Sequence, residues 1–480
     1  MNSSSSTRRT RILPMTLALS LAAAACGGGG SDGSGGSGGS GGAGGSGTTG
    51  VGAAGGSTSD VALVGEALDG ACPEGSKLPG NGVTPGSDLR RVTLSDYPDA
   101  VCNDGSPAIM YVRRAAAPAA ESSWVIFLQA GGSCNDWEEC RNRWCSHESA
   151  YDAAKMSSRF APEATKGGGL LARGPANAFG NVNQVYVYYC SSDQWTGRRD
   201  DAVLSDPEGS GPDFRLHFRG FSIVEAVDDA LRKGVTSDDG VETLPKLTEA
   251  TRILFGGSSA GSSGMTHALD WWAARYPDAE HVGLLDASTD PYPEDIVDPV
   301  FAPQYEAVLP NRHAQVFEEL WNSHLDESCL AAHTGDDAYL CSLGSHARLN
   351  HVTTPFFVRQ DLRDPVSFGA FKAAGVSLED YANSLATTMD RYTAMLDTAE
   401  EKSAMSRAPG VYVTNCEQHI AALNGGWFGT AASPATVELP GGMPITLHDA
   451  LGAWITGTSI QAIDTEPSTK SVCIMTTSEQ

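Results

Sequence analysis

None of the eleven cysteines stands in a C-x-x-C pair, which removes the commonest zinc-knuckle and dithiol-redox readings. Basic residues are also scarce: 32 Lys and Arg face 58 Asp and Glu, a formal net charge of −26. A surface this acidic excludes nucleic acid and polyanionic membrane as non-specific partners. No apolar run reaches the ~20 residues that a membrane-spanning helix requires. Internal repeats are absent, and no second linker interrupts the chain after its first sixty residues.

Those sixty residues have their own character. Arg8, Arg9 and Arg11 precede the apolar run Ile12 to Ala25, the pattern of an export signal. Ala23–Ala24–Ala25–Cys26–Gly27 is similar to a bacterial lipoprotein processing site. Residues 1–25 are therefore expected to be a signal peptide, with lipidated Cys26 as the new N-terminus at the cell envelope. The alternative is plain secretion. A Gly/Ser-rich tether over 27–60 has nothing to bury, a polar lead-in covers 61–88, and a single catalytic domain is expected over 89–480. Without Cys26 ten cysteines remain: Cys72, Cys102, Cys134, Cys140, Cys145, Cys190, Cys329, Cys341, Cys416 and Cys473. An even number in an exported chain predicts disulfides rather than metal. Contact with a membrane is expected only through the lipid.

Gly257–Ser258–Ser259–Ala260–Gly261 organises the rest. It follows the β-prone Thr251–Phe255 and precedes a helix-compatible stretch from Ser262 to Tyr276. Strand, small-residue turn and helix form the context in which G-x-S-x-G presents a nucleophile. In a chain with 55 glycines the bare motif also arises by chance, so its flanks carry the reading. Upstream, the apolar strand Trp124 to Leu128 runs into Gln129–Ala130–Gly131–Gly132–Ser133–Cys134. Backbone N–H groups there, at Gly131 and Gly132, together with that of Ala260, suit an oxyanion hole. A tight turn is the bland alternative. Further strands are expected at 108–113, 185–190, 281–286, 354–360 and 410–414, and helices at 218–233, 300–345 and 380–400. Their alternation predicts an α/β fold with a mainly parallel sheet, helices on both faces and long insertions.

A serine nucleophile needs a base, and the base needs an orienting acid. Ser259, Asp364 and His419 fit the order serine, acid, histidine, and the last two follow late strands. Asp361 and Asp286 compete as the acid. His267, His281, His324, His333, His346, His351 and His448 compete as the base. The loop Ser191 to Arg199 supplies Ser192 and an exposed-looking Trp195 as pocket candidates, with Ser133 beside the oxyanion loop.

These stretches together resemble the pectin acetylesterase family, which includes the animal Notum carboxylesterases. Val101–Cys102–Asn103–Asp104–Gly105–Ser106–Pro107 matches its opening Val-Cys-Leu-Asp-Gly-Ser-x-Pro. Leu128 to Cys134 matches Leu-Glu-Gly-Gly-Gly-Trp-Cys, Phe218–Arg219–Gly220 its Phe-Arg-Gly, and Gly257 to Gly261 its Gly-Cys-Ser-Ala-Gly. The family's aspartate, nine positions beyond the proline of a Pro-x-Phe strand, falls on Asp364 counted from Pro355. Its histidine, three residues after a cysteine, falls on His419 after Cys416. Ser133 replaces a bulky aromatic, Ser191–Ser192 an Asp-Gly pair, and Ser258 the cysteine before the nucleophile.

The resemblance implies an α/β-hydrolase-like serine esterase that uses neither metal nor cofactor. It implies an O-acylated substrate, namely an acetylated glycan such as pectin or, as in the Notum branch, a long-chain acyl ester. The strong negative charge fits de-esterified pectin poorly. A surface-anchored binding protein without catalysis is the reading from another class.

Overall fold

The computed structural model describes residues 61–73, 76, 80–146, 152–395, 405–432, 434–439 and 442–464. The expected signal peptide, Cys26, the tether and Cys473 lie outside them. Ten strands form the central sheet, numbered in chain order: β1 (Pro85–Thr93), β2 (Ile109–Arg113), β3 (Ser123–Leu128), β4 (Ala164–Thr165), β5 (Asn183–Val187), β6 (Arg252–Ser258), β7 (Glu280–Asp286), β8 (Phe356–Asp361), β9 (Gly410–Thr414) and β10 (Gln461–Ile463). Their spatial order is β10-β9-β8-β7-β6-β3-β5-β2-β1-β4. Neighbours from β10 to β5 are parallel, while β2, β1 and β4 complete the other edge antiparallel. The architecture is α/β-hydrolase-like.

Apolar, β-branched runs explain the sheet's centre. Every residue of β2, β3, β5, β8 and β9 is buried. Successive side chains point to opposite faces, so both faces are covered. The order of strand addition reverses at the parallel pair β3 and β6: β5 lies to one side, while β7, β8 and β9 follow on the other. Such a switch opens a crevice at the carboxyl ends of the strands.

Helices labelled below are α1 (Val64–Leu68), α2 (Trp137–Cys145), α3 (Gly220–Lys233), α4 (Ala260–Arg275), α5 (Ala302–Arg312), α6 (Glu327–Ala332), α7 (Gly344–Asn350), α8 (Pro365–Ala373) and α9 (Leu378–Ala394). The region expected to be helical over 300–345 is broken up. After α5 the chain widens into a π-helix at His313–Leu320, and a 3₁₀ stretch at Gly335–Ser342 separates α6 from α7. Pro310 inside α5 offers no N–H to its preceding turn, which weakens a regular continuation.

The segment read from its composition as a polar lead-in is built into the fold. Val64 and Leu68, four residues apart on one face of α1, are fully buried with Trp144, Phe214, Leu216, Phe317 and Trp321 in a second apolar cluster. Four residues before the expected domain start, β1 already begins at Pro85. Cys72–Cys145 ties α1 to α2, and Cys102–Cys190, Cys134–Cys140 and Cys329–Cys341 are the other bridges among described residues. Cys416 is disulfide-bonded as well.

Candidate active site

Strand β6 delivers Ser259 at the turn into α4 with φ 52° and ψ −121°. A non-glycine residue held there stores about 1–3 kcal/mol of strain. Neighbouring backbone maintains it: the Ser259 N–H donates to the Asp286 carbonyl at 2.8 Å, and its own carbonyl accepts the Ser263 N–H at 2.9 Å. The two flanking glycines are required by contact. A Cβ on Gly257 would lie 2.2 Å from the Gly261 carbonyl oxygen, and one on Gly261 would lie 2.1 Å from that of Leu128. Ser259 occupies the N-cap position of α4, yet its side chain makes no capping bond.

Asp364 and His419 meet beyond the ends of β8 and β9. His419 Nδ1 lies 2.7 Å from Asp364 Oδ2. The carboxylate is fully buried and fixed on its other sides. Its Oδ1 accepts the N–H groups of Val366 (2.9 Å) and Ser367 (3.2 Å), and Oδ2 also accepts Gln360 Nε2 at 3.2 Å. Nδ1 therefore carries the proton and donates it to the carboxylate, which leaves Nε2 with its lone pair. That Nε2 is buried without a hydrogen-bond partner. Burial works against the imidazolium, but the charge of Asp364 and its hydrogen bond outweigh burial and hold the His419 pKa above its ordinary value.

Ser259 and His419 line one cavity of about 150 Å³ together with Gly132, Ser133 and Ala260. No hydrogen bond joins the two side chains. Ligand-free sites commonly close such a contact only when substrate arrives.

The competing acids are committed elsewhere. Asp286 accepts from Ser258 Oγ, from the N–H groups of Ala421 and Ala422, and from Arg359 Nη1. Asp361 pairs with Arg359 Nη2 and Thr414 Oγ1. Arg359 also donates to the His419 carbonyl at 2.8 Å, so this buried group supports the histidine loop rather than the imidazole. Among competing bases, His267 lines the cavity, but burial first and Arg348 second depress its pKa to about 3. His324 stacks on Phe221 and is likewise pushed down to about 3, chiefly by burial. His281 lies in β7, and His448 contacts Asp449. His333, His346 and His351 gather around one another.

Three expected positions do not line the cavity. Gly131 is not in its wall, and its carbonyl accepts Arg143 Nη2 at 2.6 Å. Trp195 is fully buried rather than exposed; its indole N–H donates to the Gln129 carbonyl at 3.0 Å. Ser192 is also fully buried. Left-handed φ values at Ser192, Gln194 and Trp195 coil the loop, turning these side chains inward and placing Gln194 in the cavity wall. Buried Asp193 secures the coil by accepting from Ser191 Oγ and from the N–H groups of Trp195 and Gly220.

The same cavity has walls that were not among the expected site residues: Asp290, which stands near a strand end, and Tyr305, Arg312 and Phe317. Burial pushes the Asp290 carboxyl up to about 6, with Arg312 pulling the other way. Asp290 follows the end of β7 by four residues, a position a strand-end search finds. Arg312 arrives from α5 by tertiary packing and carries no local signature.

Residues 86–474 match the model of the family described as Pectinacetylesterase. The chain is also similar to palmitoleoyl-protein carboxylesterase notum2 of Xenopus laevis, 27% identical over 342 residues, covering 68% of this chain and 61% of that protein. Palmitoleoyl-protein carboxylesterase NOTUM of Homo sapiens is 31% identical over 196 residues, covering 39% and 33% respectively. The corresponding protein of Schmidtea mediterranea is 24% identical over 350 residues, covering 70% and 59%. The matched part thus spans about three fifths or less of each relative's length.

Proposed function

The chain belongs to the pectinacetylesterase family, and from that premise we propose that it is a serine carboxylesterase acting through Ser259, His419 and Asp364. His419 Nε2 takes the hydroxyl proton as Ser259 Oγ attacks an ester carbonyl. Asp364 keeps the imidazole in the Nδ1–H tautomer and stabilises it once charged. Backbone N–H groups of Gly132 and Ala260, which line the cavity, receive the developing oxyanion. Collapse expels the alcohol with the proton from His419. Water then attacks the acyl-enzyme by the same route and regenerates Ser259. The observation that carries this reading is the 2.7 Å Asp364–His419 bond opening onto the cavity that holds Ser259.

The acyl group is most simply acetyl. A cavity of about 150 Å³ lies below the roughly 300–1,000 Å³ typical of pockets for drug-sized ligands. Asp290, Arg312 and several serines in its wall disfavour a long hydrocarbon tail. We assign the alcohol to an extracellular acetylated polysaccharide, pectin or another glycan, with the charge of −26 favouring a less anionic chain. The long-chain alternative rests on the relatives' names and on small Ser133.

The test is hydrolysis of p-nitrophenyl esters of increasing chain length, alongside acetate release from several acetylated glycans. Turnover should be greatest with acetyl and vanish in Ser259→Ala. Unchanged activity in that variant removes the assignment. A preference for long chains selects the Notum-type reading, and a folded protein that releases no acyl group selects the binding protein.

We further place the mature protein outside the cytoplasm, held by lipidated Cys26. The basic and apolar segments before Cys26 and the disulfides support this. No helix among the described residues is long and apolar enough to cross a membrane. A mass measurement of the mature N-terminus tests the lipid.

A further inference from the structure

His333 closes α6, His346 lies within α7, and His351 ends α7. The Cys329–Cys341 bridge closes the loop that carries His333. These elements bring three imidazoles around one point, with ring centroids 4.9, 5.2 and 5.4 Å apart. One ring nitrogen of each lies within 4.8 Å of those of the others.

Two features make this more than ring packing. First, His346 Nε2 faces His333 Nε2 at 3.2 Å. A single proton can lie between two nitrogens, so at least one lone pair points inward. Two ligands each about 2.0–2.1 Å from a tetrahedral zinc stand roughly 3.3 Å apart, which matches that separation. Second, His351 Nε2 is buried with no hydrogen-bond partner, a placement that an ion would satisfy. The outer side is prepared as well: Tyr292 Oη lies 3.0 Å from His346 Nδ1 and accepts its N–H when Nε2 faces the ion. Such outer partners orient metal-binding histidines.

We propose that His333, His346 and His351 form a zinc site distinct from the Ser259 cavity. An all-imidazole donor set suits zinc and disfavours calcium or magnesium, which require oxygen ligands. Cys329 adjoins the group, but its sulfur is bonded to Cys341 and is not a thiolate, so water completes the coordination. Gly344 and Ser345 of α7 line the Ser259 cavity, so zinc on His346 braces that wall.

The experiment uses the full mature chain, free of any histidine tag, stripped with chelator and titrated with zinc chloride by calorimetry. One zinc should bind per chain and raise the thermal midpoint. Cobalt(II) in its place should give the intense visible bands of a four-coordinate ion. His351→Asn and His346→Asn should each weaken zinc at least ~100-fold, the upper end of what outer partners alone contribute. His217→Asn, in the separate group with Asp200 and Asp201, should leave binding unchanged. Absence of stoichiometric zinc and of the cobalt bands in the wild-type protein overturns the site. So does full binding retained by a folded His351→Asn variant. If His346→Asn does not fold, half-buried His351 and the wild-type cobalt spectrum decide. None of these readouts depends on ester hydrolysis.

Discussion

The hydroxyl of Ser258 donates to the carboxylate of Asp286 at 2.6 Å, one residue before the turn that presents Ser259. The same carboxylate accepts the N–H groups of Ala421 and Ala422, just past His419, at 3.0 and 2.9 Å. Asp286 therefore ties the Ser259 turn to the His419 loop. Its buried charge faces Arg359.

Asp286→Ala removes one partner from a buried charge group and leaves the Ser258 hydroxyl and two amides unmet. Loss of a buried ionic partner costs about 3–5 kcal/mol. The urea midpoint should fall accordingly. Loosening of the His419 loop should also lower kcat by about 100-fold, the scale of a 1 Å misplacement. An unchanged midpoint would show that the network does not bear on stability.

Asp364→Asn keeps an oxygen to accept the Val366 and Ser367 N–H groups, so α8 stays capped. Its amide turned toward His419 favours the wrong imidazole tautomer. By the behaviour of serine triads kcat should drop about 10⁴-fold with little change in KM or thermal midpoint. A loss below tenfold would point to another acid.

The pH profile follows from His419. In the proposed mechanism its neutral form is the base, and Asp364 holds its pKa above the ordinary value despite burial. Activity should therefore fall as pH drops through a midpoint above about 6.5, the reference for histidine. Asp290 ionises near 6 in the same cavity, so Asp290→Asn separates the two groups. The acid limb of kcat/KM should keep its midpoint in that variant; movement of the limb would assign it to Asp290.

Ser259→Gly should raise stability while abolishing turnover. Glycine releases about 1–3 kcal/mol of strain at φ 52° and returns about 0.5–1 kcal/mol through the unfolded chain. A net gain of about 1 kcal/mol is expected in chemical denaturation. Ser259→Ala, which keeps its Cβ, should show no such gain.

What the sequence determined by itself was local. Gly257 and Gly261 flank a serine between a strand and a helix, and the structure explains both by backbone contacts no side chain could tolerate. The apolar runs that became β2, β3, β8 and β9 were legible because strands covered on both faces need no polar alternation. Contacts between residues distant in the chain were decided only by tertiary structure. Asp364, Asp361 and Asp286 all end or follow strands, and only side-chain direction separates the one facing His419 from the two facing Arg359. Trp195 looked exposed because a polar loop surrounds it, yet successive left-handed residues turn it inward. Arg312 reaches the cavity from another helix, and three histidines spread over nineteen residues converge through a bridge and two short helices. Composition and periodicity report which residues must be buried. Which of them meet depends on the packing of elements that the local sequence does not encode.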